Sequence, residues 1–209
     1  MDHAELSPPQ RLALAYAPRR AQPAWRALFA LDARCAGFVR ARREPMLAQI
    51  RLAWWRERLQ EGPANWPRGE PLLAELAAWG AALPVLAGLV DGWEALLAEG
   101  PLPPAAMTDF ADGRAAAVDA LARHLDSSAA AAGAAARLWA LADLAAHLAD
   151  PEERAAATAQ ARAAAAPATR LPRALRPLAV LATLARAELA GRSPARRALA
   201  AIRVGIAGI

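Results

Sequence analysis

Asp143, His147 and Asp150 fall at i, i+4 and i+7 in Asp143-Leu144-Ala145-Ala146-His147-Leu148-Ala149-Asp150. A continuous helix would hold these two carboxylates and one imidazole on a single face. Such a donor set is able to bind a divalent cation, and it is the one cluster in the chain with metal-like composition. The same spacing also describes a solvated polar stripe, with Asp150 ending the helix before Pro151. Ser7, Ser127, Ser128 and Ser193 lack any nucleophile motif. Cys35 is the only cysteine; it reads as a small core residue, excludes an intramolecular disulfide and suits a reducing compartment. His124 lies near a helix end, where it can meet the C-terminal dipole without a catalytic role. Asp109, Asp112 and Asp119 stand close to Arg114 and Arg123, which suggests ordinary surface pairing.

The elements that must position these groups are helices. β-Branched residues are scarce and no stretch alternates apolar and polar for long, whereas alanine, leucine, arginine and glutamate recur between prolines and glycines. The pattern predicts helices over roughly Pro9 to Tyr16, Ala24 to Arg42, and Pro45 to the Gly62-Pro63 break. Two more follow, Pro71 to Trp79 and Pro84 to Ala98, within an apolar stretch that Glu75, Pro84, Asp91 and Glu94 interrupt. That stretch reads as two buried helices rather than a membrane span. Alanine-rich helices are expected from Ala105 to Leu125 and from Ser127 to Leu148, the second capped by Asp126 or Ser127. Glu152 to Ala166 is either a surface helix or a mobile linker, and helices from Leu171 to Leu189 and Pro194 to Val204 end the chain. The expectation is an all-α single domain of about nine helices over residues 1 to 209.

Hydrophobic residues make up 56% of the 209, but many are alanine, so a few large side chains, above all the seven tryptophans, must fill the core. Trp54 and Trp55 are adjacent on a helix, so only one of them can face inward. Lysine is absent and the net charge of +5 is spread along the chain, with neither a basic stripe with interleaved aromatics nor a known module. Nucleic acid is therefore not an expected partner. The C-terminal third, with Arg170, Arg173, Arg176, Arg186, Arg192, Arg196, Arg197 and Arg203, is locally basic enough to touch an anionic membrane or partner, although a solvated helix face gives the same pattern. Met1-Asp2-His3-Ala4-Glu5 has no apolar leader core, so the expected location is cytoplasmic, with the inner-membrane surface as a peripheral option.

Arg26-Ala27-Leu28-Phe29-Ala30-Leu31-Asp32, followed by Glu44-Pro45-Met46-Leu47-Ala48-Gln49-Ile50-Arg51-Leu52-Ala53-Trp54-Trp55-Arg56-Glu57, resembles the squalene/phytoene synthase family. Leu171-Pro172-Arg173-Ala174-Leu175-Arg176-Pro177 resembles that family's downstream segment less specifically. The resemblance covers the first 60 or so residues well, and the chain after Asp150 is short for a complete synthase. It implies a helical isoprenoid-synthase architecture around an apolar cavity. There, two aspartate-rich helices hold Mg²⁺ against prenyl diphosphates, because Mg²⁺ prefers hard carboxylate and phosphate oxygens.

In this alignment the first acidic motif falls on Ala36, Gly37 and Arg40, so its acids are missing and a cation stands in for one of them. The second motif corresponds to Asp143, His147 and Asp150. Asp32 survives one turn upstream as a partner for Arg34, Arg51 or water, and Arg51 and Arg56 have Glu44, Glu57 and Asp32 as possible partners. The implied candidates are Arg34, Arg40 and Arg51 for phosphate and Phe29, Trp54 and Trp55 for the cavity wall. Three functions follow from the resemblance. The first is a catalytically degenerate binding or assembly scaffold that needs no cofactor, as in the phytoene-synthase-like assembly factors of respiratory complex I, which would bring a membrane or membrane-complex partner. The second is an isoprenoid diphosphate transferase with a rebuilt Mg²⁺ site, and the third a non-catalytic prenyl-lipid binding protein.

Overall fold

The computed structural model describes residues 6–41 and 45–208. Arg42, Glu44 and the Met1 to Glu5 segment, which enter the expectations above, lie outside them. The described chain is all-α, one domain, 76% helical. Its helices are α1 (Pro8–Ala15), α2 (Gln22–Arg40), α3 (Pro45–Glu61), α4 (Pro71–Leu76), α5 (Leu83–Ala95), α6 (Pro104–His124), α7 (Ala132–His147), α8 (Pro151–Ala163), α9 (Arg176–Leu189) and α10 (Pro194–Ala207). Each of α1, α2, α4, α5, α6, α8, α9 and α10 has proline in its first two positions, where the missing N–H costs nothing.

The centre of the site is framed by α2, α5, α6 and α7. α5 and α6 pack closely through glycine: a Cβ on Gly113 would lie 2.3 Å from the Gly88 carbonyl oxygen, and one on Gly92 would lie 3.0 Å from the Phe110 Cα. This approach draws the middle of α6 into the interior. α7 also packs on α6 and α2 meets the same core, where Phe29 is in ring contact with both Trp25 and Trp139. Trp25 also donates from Nε1 to the Ala174 carbonyl (2.8 Å), which ties α2 to the turn before α9.

The apolar stretch from Pro71 to Ala95 is broken as predicted. Gly80 sits at φ 51°, a left-handed conformation that glycine adopts without a Cβ clash, and a 3₁₀ turn separates α4 from α5. Leu72, Leu73, Leu76, Trp79, Leu86 and Leu89 in this stretch are buried in the core. The segment after Asp150 forms α8, which buries Ala157 and Ala161.

The predicted cap of α7 is corrected. Asp126 and Ser127 close α6 instead: Asp126 adopts φ 49°, its N–H bonds to the Arg123 carbonyl and the Ser127 N–H to the Ala122 carbonyl. This is the Schellman arrangement, which satisfies the last carbonyls of the preceding helix. α7 then starts at Ala132 without a side-chain cap.

Candidate functional site

A buried arginine holds the centre of the molecule. Arg114, on the face of α6 shared with Phe110, Ala111, Ala117 and Val118, is 3% exposed. It donates through Nε and Nη2 to the two oxygens of Asp32 on α2 (2.9 and 2.8 Å), and through Nη1 to Asp143 on α7 (2.7 Å). Asp32, 2% exposed, accepts two more bonds: from Trp93 Nε1 at 2.8 Å and from Gln10 Nε2 at 3.1 Å. Gln10 is itself fixed by the capping box it forms with Ser7 at the start of α1.

A forked guanidinium matched to a carboxylate is the strong form of this interaction, and here both partners are out of water. The Trp93, Phe110 and Trp139 rings lie 5.2, 4.6 and 4.6 Å from the Arg114 guanidinium carbon, adding cation–π attraction in a desolvated setting. Burial pushes the Arg114 pKa down, but Asp32 and Asp143 more than offset this, so it stands above the ordinary arginine value. Cys35 lies on the same helix as Asp32. Burial, reinforced by the Asp32 charge, raises its thiol pKa well above the ordinary value, so it is an inert core thiol.

Beside this cluster is a cavity of about 330 Å³, between the end of α2, the start of α3, the end of α5 and the end of α7. Phe38, Val39, Trp93, Phe110, Leu144 and Leu148 form its apolar wall; Arg40, Asp143, His147 and Glu153 are its charged and polar side chains. That mixture, with few polar groups against an apolar wall, is the usual character of a small-molecule pocket, at the lower end of the usual size range. Glu153 is held in place by accepting from the Leu102 N–H at 2.7 Å. Outside the rim, on the first turns of α3, Met46 (73% exposed), Leu47 and Ile50 face solvent.

The predicted site residues separate into those the fold gathers and those it disperses. Asp143 and His147 do reach the cavity, but Asp150 does not join them. α7 ends at His147, Leu148 turns to extended backbone, and Asp150 becomes the N-cap of α8, accepting from the Glu152 and Glu153 N–H groups at 2.8 and 3.0 Å. The single face predicted for the three residues is therefore broken by the helix end. Asp143 has one oxygen committed to Arg114, and His147 Nδ1 donates to the Asp143 carbonyl at 2.7 Å. Among the described residues no three His, Cys, Asp or Glu side chains are placed to share a metal ion. As the donors stand, Asp143, His147 and Asp150 do not fit a Mg²⁺ site.

Of the candidate phosphate ligands, Arg40 lines the cavity, whereas Arg51 lies over the Phe38 ring and does not line it. Arg34 points elsewhere, to Glu70 at 3.7 Å and the Trp55 ring. Phe29, Trp54 and Trp55 do not form the cavity wall. Phe29 packs in the core between Trp25 and Trp139, Trp55 is buried, and Trp54 is half-buried edge-on against it, because the cavity opens beyond the C-terminal turn of α2 rather than along its middle. Asp32 pairs with Arg114, not with Arg34 or Arg51, and Arg56 pairs with Asp91 and Glu94 of α5. Asp112 pairs with Arg137, while Arg114 is turned inward rather than toward surface acids. His124 does sit in the last turn of α6, stacked on Trp79.

Comparison with family models, with curated proteins and with solved structures returns no match.

Proposed function

We propose that this chain is a squalene/phytoene-synthase-like protein without the condensation chemistry, acting as a binding scaffold whose cavity receives an isoprenoid diphosphate or other prenyl lipid and does not turn it over. The observation that carries this reading is the position of Arg114, a built-in cation between a carboxylate of α2 and a carboxylate of α7. In the synthases that the sequence resembles, acidic helices hold Mg²⁺ against the diphosphate. Here Asp32 and Asp143 spend their charge on a guanidinium. Recruiting Asp143 to a metal would strip a buried cation of one partner, which costs several kcal/mol. Ala36, Gly37 and Arg40 at the other expected acidic positions support the same reading: Ala36 is buried, and Arg40 brings positive charge to the cavity. An apolar chain would lie against Phe38, Trp93, Phe110 and Leu144, and its anionic head would meet Arg40.

The test is incubation with farnesyl or geranylgeranyl diphosphate and Mg²⁺, followed by assay for pyrophosphate. None should be released. Mg²⁺-dependent release would overturn the reading in favour of a transferase that uses Asp143 and His147 after displacing Arg114.

The exposed Met46, Leu47 and Ile50 beside the cavity rim favour a second reading, in which this rim engages an apolar partner, such as a subunit of a membrane complex, and the fold serves its assembly. Purification of the protein from its native cells without any membrane or respiratory partner would count against it.

A further inference from the structure

α10 presents its large apolar side chains to solvent and its smallest residues to the protein. Ala201 and Gly205 face inward and are buried, while Leu199, Ile202 and Ile206 face outward at 68, 40 and 72% exposure. Spacings of three and four residues align these three in one stripe. Gly205 explains the close seat: a Cβ there would lie 2.6 Å from the Tyr16 ring, so glycine lets the helix lie directly on that ring. At its end, Arg176 Nη1 donates to the Val204 carbonyl at 3.0 Å, fixing α10 against the start of α9. A surface helix of a globular protein ordinarily turns its large apolar residues to the core; this one does the reverse.

The charge around the stripe is one-sided. α10 contains no aspartate or glutamate, and Arg196 and Arg203, seven residues apart and exposed, run along one flank of the apolar stripe. From residue 164 onward there are eight arginines against one acidic side chain, Glu188, which pairs with Arg197 at 3.3 Å. The groove bounded by Tyr16, Pro18 and Ile206 is lined by Arg170, Arg173 and Arg176. Burial lowers the Arg176 pKa and the neighbouring Arg170 and Arg173 charges lower it further, as expected of three cations converging on one space. Ile206 belongs to both the stripe and the groove, so the apolar and cationic surfaces are continuous.

We propose that α10 and the Arg170–Arg173–Arg176 groove dock on an anionic lipid bilayer. Leu199, Ile202 and Ile206 enter the boundary between headgroups and acyl chains, and the arginines bind lipid phosphates. A second copy of the chain is the poorer occupant, since two such faces related by a two-fold axis would bring arginine against arginine. A nucleic-acid strand would look for aromatic stacking platforms, and this stripe is aliphatic. None of the docking residues lines the cavity, so the inference stands apart from what the cavity binds.

The experiment is flotation of the full chain with vesicles of phosphatidylcholine alone, or of phosphatidylcholine with about one-third phosphatidylglycerol, at low and high salt. The wild type should float with the anionic vesicles roughly tenfold more than with the neutral ones, and high salt should reduce that binding. The exposed-site variants L199Q/I206Q and R196Q/R203Q should each lose about tenfold of it, with unchanged circular dichroism. Flotation that ignores lipid charge, variants that float like the wild type, or no flotation at all would overturn the proposal. So would a wild-type dimer that L199Q/I206Q converts to monomer without any vesicle binding, since the stripe would then be a protein interface.

Discussion

Arg114 and the arginines around α10 are the same residue put to opposite uses. Arg114 lies among three aromatic rings with its charge answered by Asp32 and Asp143, so nothing of it is left for a ligand. Arg196 and Arg203 are exposed, and Arg170 and Arg173 crowd Arg176 instead of meeting carboxylates. The first arrangement ties α2, α6 and α7 together through one buried, fully partnered cation. The second leaves positive charge at the surface, where it contributes little to the fold. Counting arginines in the sequence cannot distinguish the two; the neighbours of each one do.

Removing Arg114 should have the largest effect. Arg114→Met leaves Asp32 buried without its cation and should cost about 3–5 kcal/mol, lowering Tm by roughly 10 °C. The double variant D32L/R114M, which deletes both charges, should recover more than half of that loss in chemical denaturation. A smaller loss, about 1–2 kcal/mol, is expected for Trp93→Phe, which keeps the ring over Arg114 but removes the Nε1–H donor to Asp32.

Cys35 makes stability depend on pH. Its folded pKa is raised above the unfolded value, so the neutral thiol's contribution is fully present below that value and is lost as pH rises beyond it. Above about pH 9 stability should fall by about 1.4 kcal/mol per unit from this group, and Cys35→Ala should remove that part of the slope. At the other extreme, Arg203→Gln should change unfolding free energy by less than about 0.5 kcal/mol, since its side chain is exposed.

Most helix positions were legible because proline and glycine mark them: α3 begins at Pro45 and ends before Gly62, as its sequence predicts. The centre of the site was harder to read. Arg114 sits in Asp112-Gly113-Arg114-Ala115, beside an acid that looks like its partner. Its burial follows from the contact of Gly113 with Gly88, a tertiary approach with no local signature. Two signals did point to it: Asp32 lies among Leu28, Leu31 and Cys35 on the apolar side of α2, and Phe110, Ala111, Ala117 and Val118 share a face with Arg114. A charge on each of two apolar faces is reason to look for a pair. Asp150 is the opposite case: its i+7 spacing from Asp143 has meaning only in an unbroken helix, and Pro151 opens a new helix that takes this aspartate as its cap.

Calorimetric titration of the protein with farnesyl diphosphate, once with Mg²⁺ and once with the metal chelated, tests whether ligand binding is independent of metal. If Arg40 and the apolar cavity provide the binding and Arg114 has taken the place of a metal, the two Kd values should agree within about twofold. Binding that disappears on chelation, or no binding in either condition, would contradict a metal-independent prenyl diphosphate site.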